Sequence, residues 1–380
     1  MLAFSAAIFC FWASLYVYVP TLAVFAQDRG ADFGIIGLIV AAYGLVQFAL
    51  RIPTGYLADR FGKRSLLIQI GLMGNLVGAV GMTIWNEPWL LVLWRCFHGV
   101  GAASFVVIVV YFSSFFPASQ ATRATSILMA GTTLSQVVIS LAGGAIASKF
   151  GPEATFLVAA LMAMLGMASM CIAGQGSIVE SRPISLDRFR QVFTVRLLLI
   201  SATLAAIGQF IVFGVMQSFF LIYASNIGAS SLDLGIITTL GYLSAAFAAT
   251  SAAVFVFRMG ERNFVVAGSL ASGAVLISIP LVETIVGVQI MAFLLGGARG
   301  MVFPVLMGIA LNSVELDQRA SATGVFQCIY AVGMFLGPAV GGVLAEFFGL
   351  SSLFGIMGAV AFVGAVGAML LPKRSSTFGA

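Results

Sequence analysis

Twelve apolar runs, most of them about 20 residues long or longer, follow one another along this chain with short polar breaks between them. They fall near 2–26, 33–57, 66–85, 89–111, 124–148 and 155–173, then near 194–223, 233–257, 264–282, 285–311, 320–347 and 351–371. About 20 residues in a helix span the hydrocarbon layer of a bilayer. None of the runs has the strict alternation of a barrel strand. The reading is an all-α membrane protein of 12 transmembrane helices. Composition closes the soluble alternative, because only 8% of the residues are charged, against about 25% in an ordinary soluble domain. The 43 glycines suit helices that approach closely in lipid.

The first run opens at Leu2 without a basic leader and carries Trp12, Tyr16 and Tyr18, so it reads as a span rather than a signal segment. Cys10, Cys96, Cys171 and Cys328 each stand alone in apolar sequence. Neither a disulfide framework nor a metal site is indicated, and no cofactor is expected. The one long polar stretch, 174–193, holds Glu180, Arg182, Asp187, Arg188 and Arg190. It divides the chain into an N-terminal bundle (1–173), a cytoplasmic linker (174–193) and a C-terminal bundle (194–380).

Basic residues set the expected topology. Thirteen of the 18 fall in the even-to-odd loops, the linker and the tail, and only Arg29 and Lys149 fall on the other side. The positive-inside rule then puts both termini in the cytoplasm, as expected for a plasma (inner) membrane protein. The net charge of +5 reflects this topology, and no nucleic-acid partner is implied.

The two sets of six spans also echo each other. Asp32-Phe33-Gly34-Ile35-Ile36 is matched by Asp233-Leu234-Gly235-Ile236-Ile237, and Arg60-Phe61-Gly62-Lys63-Arg64 by Arg258-Met259-Gly260-Glu261-Arg262. Gly143-Gly144 with Phe150-Gly151 returns as Gly341-Gly342 with Phe348-Gly349. The offset is about 200 residues each time and the order is kept. A duplicated six-helix unit predicts two pseudo-symmetric bundles with a solute site near the midplane.

Gly55-Tyr56-Leu57-Ala58-Asp59-Arg60-Phe61-Gly62-Lys63-Arg64, between spans two and three, resembles the signature loop of the major facilitator superfamily. Arg51-Ile52-Pro53 before it is also frequent in bacterial members. The resemblance covers essentially the whole chain and implies a secondary transporter that works by alternating access. It casts Gly55, Asp59, Arg60, Gly62, Lys63 and Arg64 as gating residues, with Asp59 facing the N-terminus of span eleven and latching the outward-open state. Chemically, Gly55 would permit close packing, Gly62 a positive φ, and Asp59 an anion at a helix N-terminus. Arg95-Cys96-Phe97-His98-Gly99-Val100-Gly101-Ala102 resembles the fourth-span motif, whose arginine is associated in the family with proton coupling. Gly333 to Gly342 on span eleven matches the antiporter motif. Span five, where that motif is expected, instead carries Ser135, Ile139 and Ser140 and keeps only Gly143-Gly144. That departure counts against a drug exporter.

The intramembrane charges are one-sided. Arg51, Arg95, Arg299 and His98 lie within spans, whereas all 13 acids fall in loops or at helix ends. An arginine at mid-membrane costs about 2.5–3.5 kcal/mol and calls for a wet cavity or a partner. A bound organic carboxylate would supply one, held by Arg299 with help from Arg95 or His98 through paired hydrogen bonds. The repeat is read as placing Arg299 opposite His98. Plainer roles stand beside these: Arg51 snorkelling to the surface, Arg95 tying helices together, and His98 packing or relaying a proton. Polar stripes mark a cavity wall: Tyr43, Gln47 and Arg51 on span two; Thr132, Gln136 and Ser140 on span five; Gln209 and Gln217 about Phe213 on span seven. Trp12 and Tyr16 on span one, with Gln327 and Tyr330 on span eleven, complete the candidate binding set.

The spans hold no nucleophile–base pair, metal cluster or paired carboxylates for an enzyme, and nothing resembles a channel filter. Proton-coupled efflux of amphipathic drugs is the alternative within transport. The expected partners are a small solute, read as anionic, a proton as candidate coupling ion, and the bilayer, with a monomer as the working unit.

Overall fold

A computed structural model describes residues 2–116, 120–173, 191–315 and 318–373, without the side chains of Leu2, Asp59, Ala121, Thr122, Ala253, Val254, Phe257 and Ala320. Most of the 174–193 segment, Asp317 and Arg374 therefore lie outside the described residues.

The apolar runs become helices whose ends follow from local chemistry. The spans are α1 (Ala3–Asp28), α2 (Phe33–Ala58), α3 (Arg64–Ile84), α4 (Pro88–Ser113), α5 (Arg123–Phe150), α6 (Pro152–Ala173), α7 (Arg196–Asn226), α8 (Ser231–Ala252), α9 (Glu261–Leu281) and α10 (Ile285–Asn312). An eleventh apolar helix, Ser321–Ala368, runs through Gly349 at φ 77° and ψ 166°, which is not helical. That break makes two spans of it, α11 (321–348) and α12 (350–368), and twelve in all among the described residues. Asp32 caps α2 by accepting a hydrogen bond from the Ile35 amide at 2.6 Å, satisfying one of the free N–H groups of the first turn. Pro88 and Pro152 open α4 and α6, where a missing N–H costs nothing.

The duplication is written in the backbone. Among the described residues six glycines take positive φ: Gly30, Gly62, Gly151, Gly228, Gly260 and Gly349. They form three pairs, each 198 residues apart. Gly62 ends its helix in the left-handed region, as the signature loop implied, and a side chain there would be strained. In this register the Asp32 counterpart is Ser230. Ser230 and Asp233 form a reciprocal cap, the carboxylate accepting from the Ser230 amide at 2.9 Å and the Ser230 hydroxyl from the Asp233 amide at 3.3 Å. The two Asp-x-Gly-Ile-Ile strings are therefore out of structural register by one turn. The same register pairs Arg299 with Gly101 and His98 with Gly296, so Arg299 is not the counterpart of His98.

Two spans break at near-matching positions of the 198-residue repeat. α1 turns at Val17 and Tyr18, ahead of Pro20. α7 passes through a π turn at Val212–Met216.

Contacts divide the chain into two units. One holds α1–α6 with residues 229–239 from the start of α8, and the other holds α7, the rest of α8 and α9–α12. In the first unit α2 packs chiefly on α4, α1 on α6, and α3 on both α4 and α6. Glycine makes these approaches possible. A Cβ on Gly74 would lie 2.9 Å from the Phe97 carbonyl, and one on Gly144 would lie 2.7 Å from Gly235 Cα. In the second unit α7 packs on α10 and on the last long helix, and α9 does the same. A Cβ on Gly214 would lie 2.7 Å from the Gly337 carbonyl. Small residues at crossings are the packing currency of helices in lipid, where apolar burial alone drives little association. Leu157, Ile172, Phe247 and Val363 stay exposed, as suits a surface solvated by lipid.

Candidate functional site

The turn at Val17 and Tyr18 decides the chemistry of the first unit. It carries the Tyr18 ring inward, where its phenol oxygen accepts a hydrogen bond from Arg95 Nη1 at 2.8 Å. Arg95 Nε donates to the Ile39 carbonyl at 3.4 Å. Its guanidinium carbon lies 4.6 Å from the centre of the Tyr43 ring, within reach of a cation–π attraction. Arg95 is only 3% exposed. It ties α4 to α1 and α2, which is the plainer of the two roles read from the sequence.

His98 lies one turn further along α4. Its Nδ1–H donates to the Trp94 carbonyl at 3.0 Å, and its ring meets Tyr18 edge-on at 5.1 Å. Nε2 is buried and has no hydrogen-bond partner among the described residues. A side chain at Gly78 would collide with this imidazole, so glycine makes the space that His98 fills.

Arg51 is 6% exposed and Gln47 5% exposed, so this end of the α2 stripe is inside the protein rather than at its surface. Arg51 has a partner of its own, whereas Gln47 Oε1 and Trp12 Nε1 are buried with none among the described residues. Trp12 packs against Tyr16 at 5.5 Å and Phe105 at 5.0 Å. On α5, Gln136 is half-buried, and Thr132 and Ser140 are buried with hydroxyls that find no partner among the described residues.

The α2–α3 loop is simpler than its motif implies. Arg60 donates to the Tyr56 hydroxyl at 3.2 Å, Lys63 is exposed, and Arg64 is buried at the start of α3. A Cβ on Gly55 would make only ordinary contact with Val106, at 3.6 Å, so close packing does not demand a glycine there. The Asp59 side chain lies outside the described residues.

The second unit contains a cavity of its own, with about 50 Å³ open to water-sized occupants. Its walls come from α7, α9, α10 and α12, and its polar groups are Gln209, Ser269, Ser272 and Arg299. On α10, Leu295, Arg299 and Val302 reach it together, as residues three and four apart must when they share a face. Arg299 is half-buried and has no hydrogen bond or ion pair among the described residues. Gln209 is 8% exposed, and its Oε1 finds no partner among them either. Ser272 spends its hydroxyl proton on the Gly268 carbonyl at 2.9 Å.

Gln217 does not join this wall. The π turn at Val212–Met216 takes in one residue more than an α turn, so the Gln209–Phe213–Gln217 spacing does not describe one face. Tyr330 packs edge-on to Phe303 and Phe326 at 5.6 and 6.0 Å, and Gln327 is half-buried on the same helix.

The family model described as Major Facilitator Superfamily matches residues 4–224 and 198–378. The chain belongs to the Major Facilitator Superfamily. Among similar curated proteins, the class C tetracycline resistance protein of Escherichia coli is 26% identical over 322 residues, or 80% of this chain and 78% of that one. The uncharacterized MFS-type transporter YceJ of Bacillus subtilis is 23% identical, over 90% of this chain and 88% of its own. The inner membrane transport protein YajR of E. coli is 27% identical over a shorter stretch, 40% of this chain and only 34% of YajR. Two crystal structures share the fold. The nucleoside transporter NupG superposes with a TM-score of 0.80 at 14% identity over 97% of both chains. A bacterial homologue of the human lysosomal transporter Spinster, inward-facing and unoccupied, gives 0.79 at 16% identity, covering 99% of this chain and 98% of that one. This member of the superfamily is thus a multi-pass membrane protein with the family and fold of transporters.

Sequence reasoning missed Tyr18, the partner of Arg95 in this superfamily member. Pro20 was the available signal, since it disfavours helix just ahead of itself. Nothing in the sequence marked Gly208 or Ser272 as cavity-lining, because small residues on an apolar helix are everywhere in this chain.

Proposed function

We propose that the chain is a secondary transporter of a small organic anion, a carboxylate, working by alternating access between halves 1–173 and 194–380. The observation that carries this reading is the state of the three intramembrane arginines. Arg95 is engaged by Tyr18 and Ile39, and Arg51 has a partner. Arg299 faces a cavity with no partner among the described residues. No described acid lies beyond the first or last turn of a span. A cation held off the aqueous phase with no counter-charge favours a bound anion, and the guanidinium fork matches a carboxylate.

Arg299 and Gln209 are the anchor of this proposal, and His98 Nε2 is its candidate proton acceptor. Gly55, Asp59, Arg60, Gly62, Lys63 and Arg64 form its gate. The bias of basic residues supports cytoplasmic termini in the plasma (inner) membrane, and the working unit is taken as a monomer.

Proton-coupled drug efflux is a second reading, favoured by the tetracycline relative and by the quinolone resistance protein NorB of Staphylococcus aureus. NorB is 26% identical over 47% of this chain but only 38% of its own.

Ligand-induced thermal stabilisation of the purified protein separates the two. A ligand that binds only the folded chain adds about 2.7 kcal/mol at a hundredfold excess over its dissociation constant. Stabilisation by carboxylates that disappears in Arg299→Ala supports the anion reading. Stabilisation by lipophilic drugs alone, unchanged in that variant, refutes it.

A further inference from the structure

We infer that the Arg299 cavity takes an amphipathic monoanion, a single carboxylate on an unsubstituted hydrocarbon tail, in preference to a hydroxylated or doubly charged acid. This rests on the anion reading and names the class of solute within it.

The wall divides into one charged point and a largely apolar remainder. Among the described residues Arg299 is the one charged side chain on it, and a guanidinium fork pairs with one carboxylate. Ser272 has given its hydroxyl proton to the Gly268 carbonyl and Gln209 is 8% exposed, so little polar surface remains beside the guanidinium. Apart from Ser269 the rest of the wall is apolar, with Leu204, Ile207, Ile211, Leu295, Val302 and Phe303 in it. A hydroxyl or a second carboxylate set against these side chains would give up its water without gaining a partner, and that desolvation is unfavourable. A hydrocarbon tail in the same place gains by leaving water.

The helices that build the wall point the same way. α9 contributes Ser269 and Ser272, and α12 contributes Ala361 and Gly364. The same two helices also carry exposed apolar side chains, Leu270 and Ile277 on α9 and Val363 and Val366 on α12. Helices that enclose the cavity therefore also meet lipid, and lipid is where an amphiphile collects. A hydrophilic acid has no such reservoir.

Gly208 also lines this space, and a Cβ built there meets nothing within 4 Å. A larger residue at 208 can therefore enter the cavity without disturbing the helix packing.

The test measures equilibrium binding of radiolabelled hexanoate to the full-length protein in proteoliposomes, with unlabelled competitors. Butyrate and octanoate vary the tail. Adipate, gluconate and hexanamide keep the chain length of hexanoate and add a second carboxylate, add hydroxyls, or remove the charge. Gly208→Leu fills the cavity and leaves Arg299 in place, so label that this variant still retains is partition into lipid and is subtracted. Affinity should rise about fourfold for each methylene buried, and adipate, gluconate and hexanamide should compete poorly. Arg299→Gln should weaken hexanoate about thirtyfold, as loss of a buried charge partner does, and should leave hexanamide unchanged. Gly208→Leu keeps the proposal testable if the arginine variant does not fold.

Adipate or gluconate bound as tightly as hexanoate, or butyrate bound as tightly as octanoate, in each case lost in Arg299→Gln, overturns the amphipathic class and leaves the anion reading standing. Hexanamide bound as tightly as hexanoate, or hexanoate binding indifferent to both substitutions, overturns both.

Discussion

Replacing Tyr18 by phenylalanine isolates one oxygen from Arg95, the most buried charge among the described residues of the first unit. That oxygen accepts from Arg95 Nη1 at 2.8 Å, and the other described oxygen bonded to the guanidinium is the Ile39 carbonyl at 3.4 Å. Phenylalanine keeps the ring that meets His98 at 5.1 Å and Phe156 at 5.8 Å, so packing is nearly unchanged. What is lost is an acceptor for an ionised donor that water reaches poorly, since Arg95 is 3% exposed. Hydrogen bonds to charged groups contribute about 1.5–3 kcal/mol, while hydrogen bonds between helices in lipid reach at most about 1.7 kcal/mol in measured cycles. The ranges overlap near 1.5 kcal/mol, which is the expected cost of Tyr18→Phe. In an Arg95→Leu background the phenol has no cation to serve, and the cost should fall below about 0.5 kcal/mol. The assay is reversible unfolding in mixed micelles with rising dodecyl sulfate, followed by tryptophan fluorescence, for all four corners of the cycle. Equal costs in the two backgrounds would refute the claim that Tyr18 holds Arg95.

Three further outcomes follow from the packing and the loops. Gly101→Ala should destabilise by about 1–3 kcal/mol, because its Cβ would collide with Asn75 Oδ1, whereas Gly131→Ala, with nothing within 4 Å of its Cβ, should be neutral or stabilise by up to about 1 kcal/mol; paired unfolding curves check both. Arg29 reaches Glu153 at 2.6 Å with both side chains about two-fifths exposed, so Glu153→Gln should cost no more than about 1 kcal/mol, and that cost should shrink as salt is added to the unfolding buffer. Asp32→Ala removes the cap on Ile35 and should cost about 1 kcal/mol, with Asp32→Asn recovering most of it.

Much of the fold was legible because its determinants are local. Asp32, Pro88, Gly62 and the Gly151-Pro152 pair each end or start a helix for reasons that hold wherever they stand. Gly349 does so too, where the two final spans would otherwise run on as one helix. The faces of the helices were far less legible. A span that touches lipid on one side and protein on the other is apolar all round, so periodicity does not separate its faces. That is why Arg299 could be placed in a span but not aimed; its repeat partner, Gly101, follows instead from the 198-residue register that the glycine pairs set. Counting in fours also assumes an unbroken α-helix, and α7 departs from one at Val212–Met216. The turn at Tyr18 failed in the same way: Trp12 and Tyr16 were legible as one face, and the residue that meets Arg95 lies just beyond it. Arg51, read both as part of the cavity-wall stripe and as snorkelling to the surface, is buried; its position along α2 carried no information about what packs over it.

Uptake into proteoliposomes tests the central claim most directly. Purified protein would be reconstituted and the entry of radiolabelled small carboxylates and of tetracycline followed over time, for wild type and Arg299→Gln. The account predicts saturable carboxylate uptake that the substitution abolishes and no specific tetracycline movement. Tetracycline transport that the substitution leaves intact, with carboxylates immobile, would contradict it.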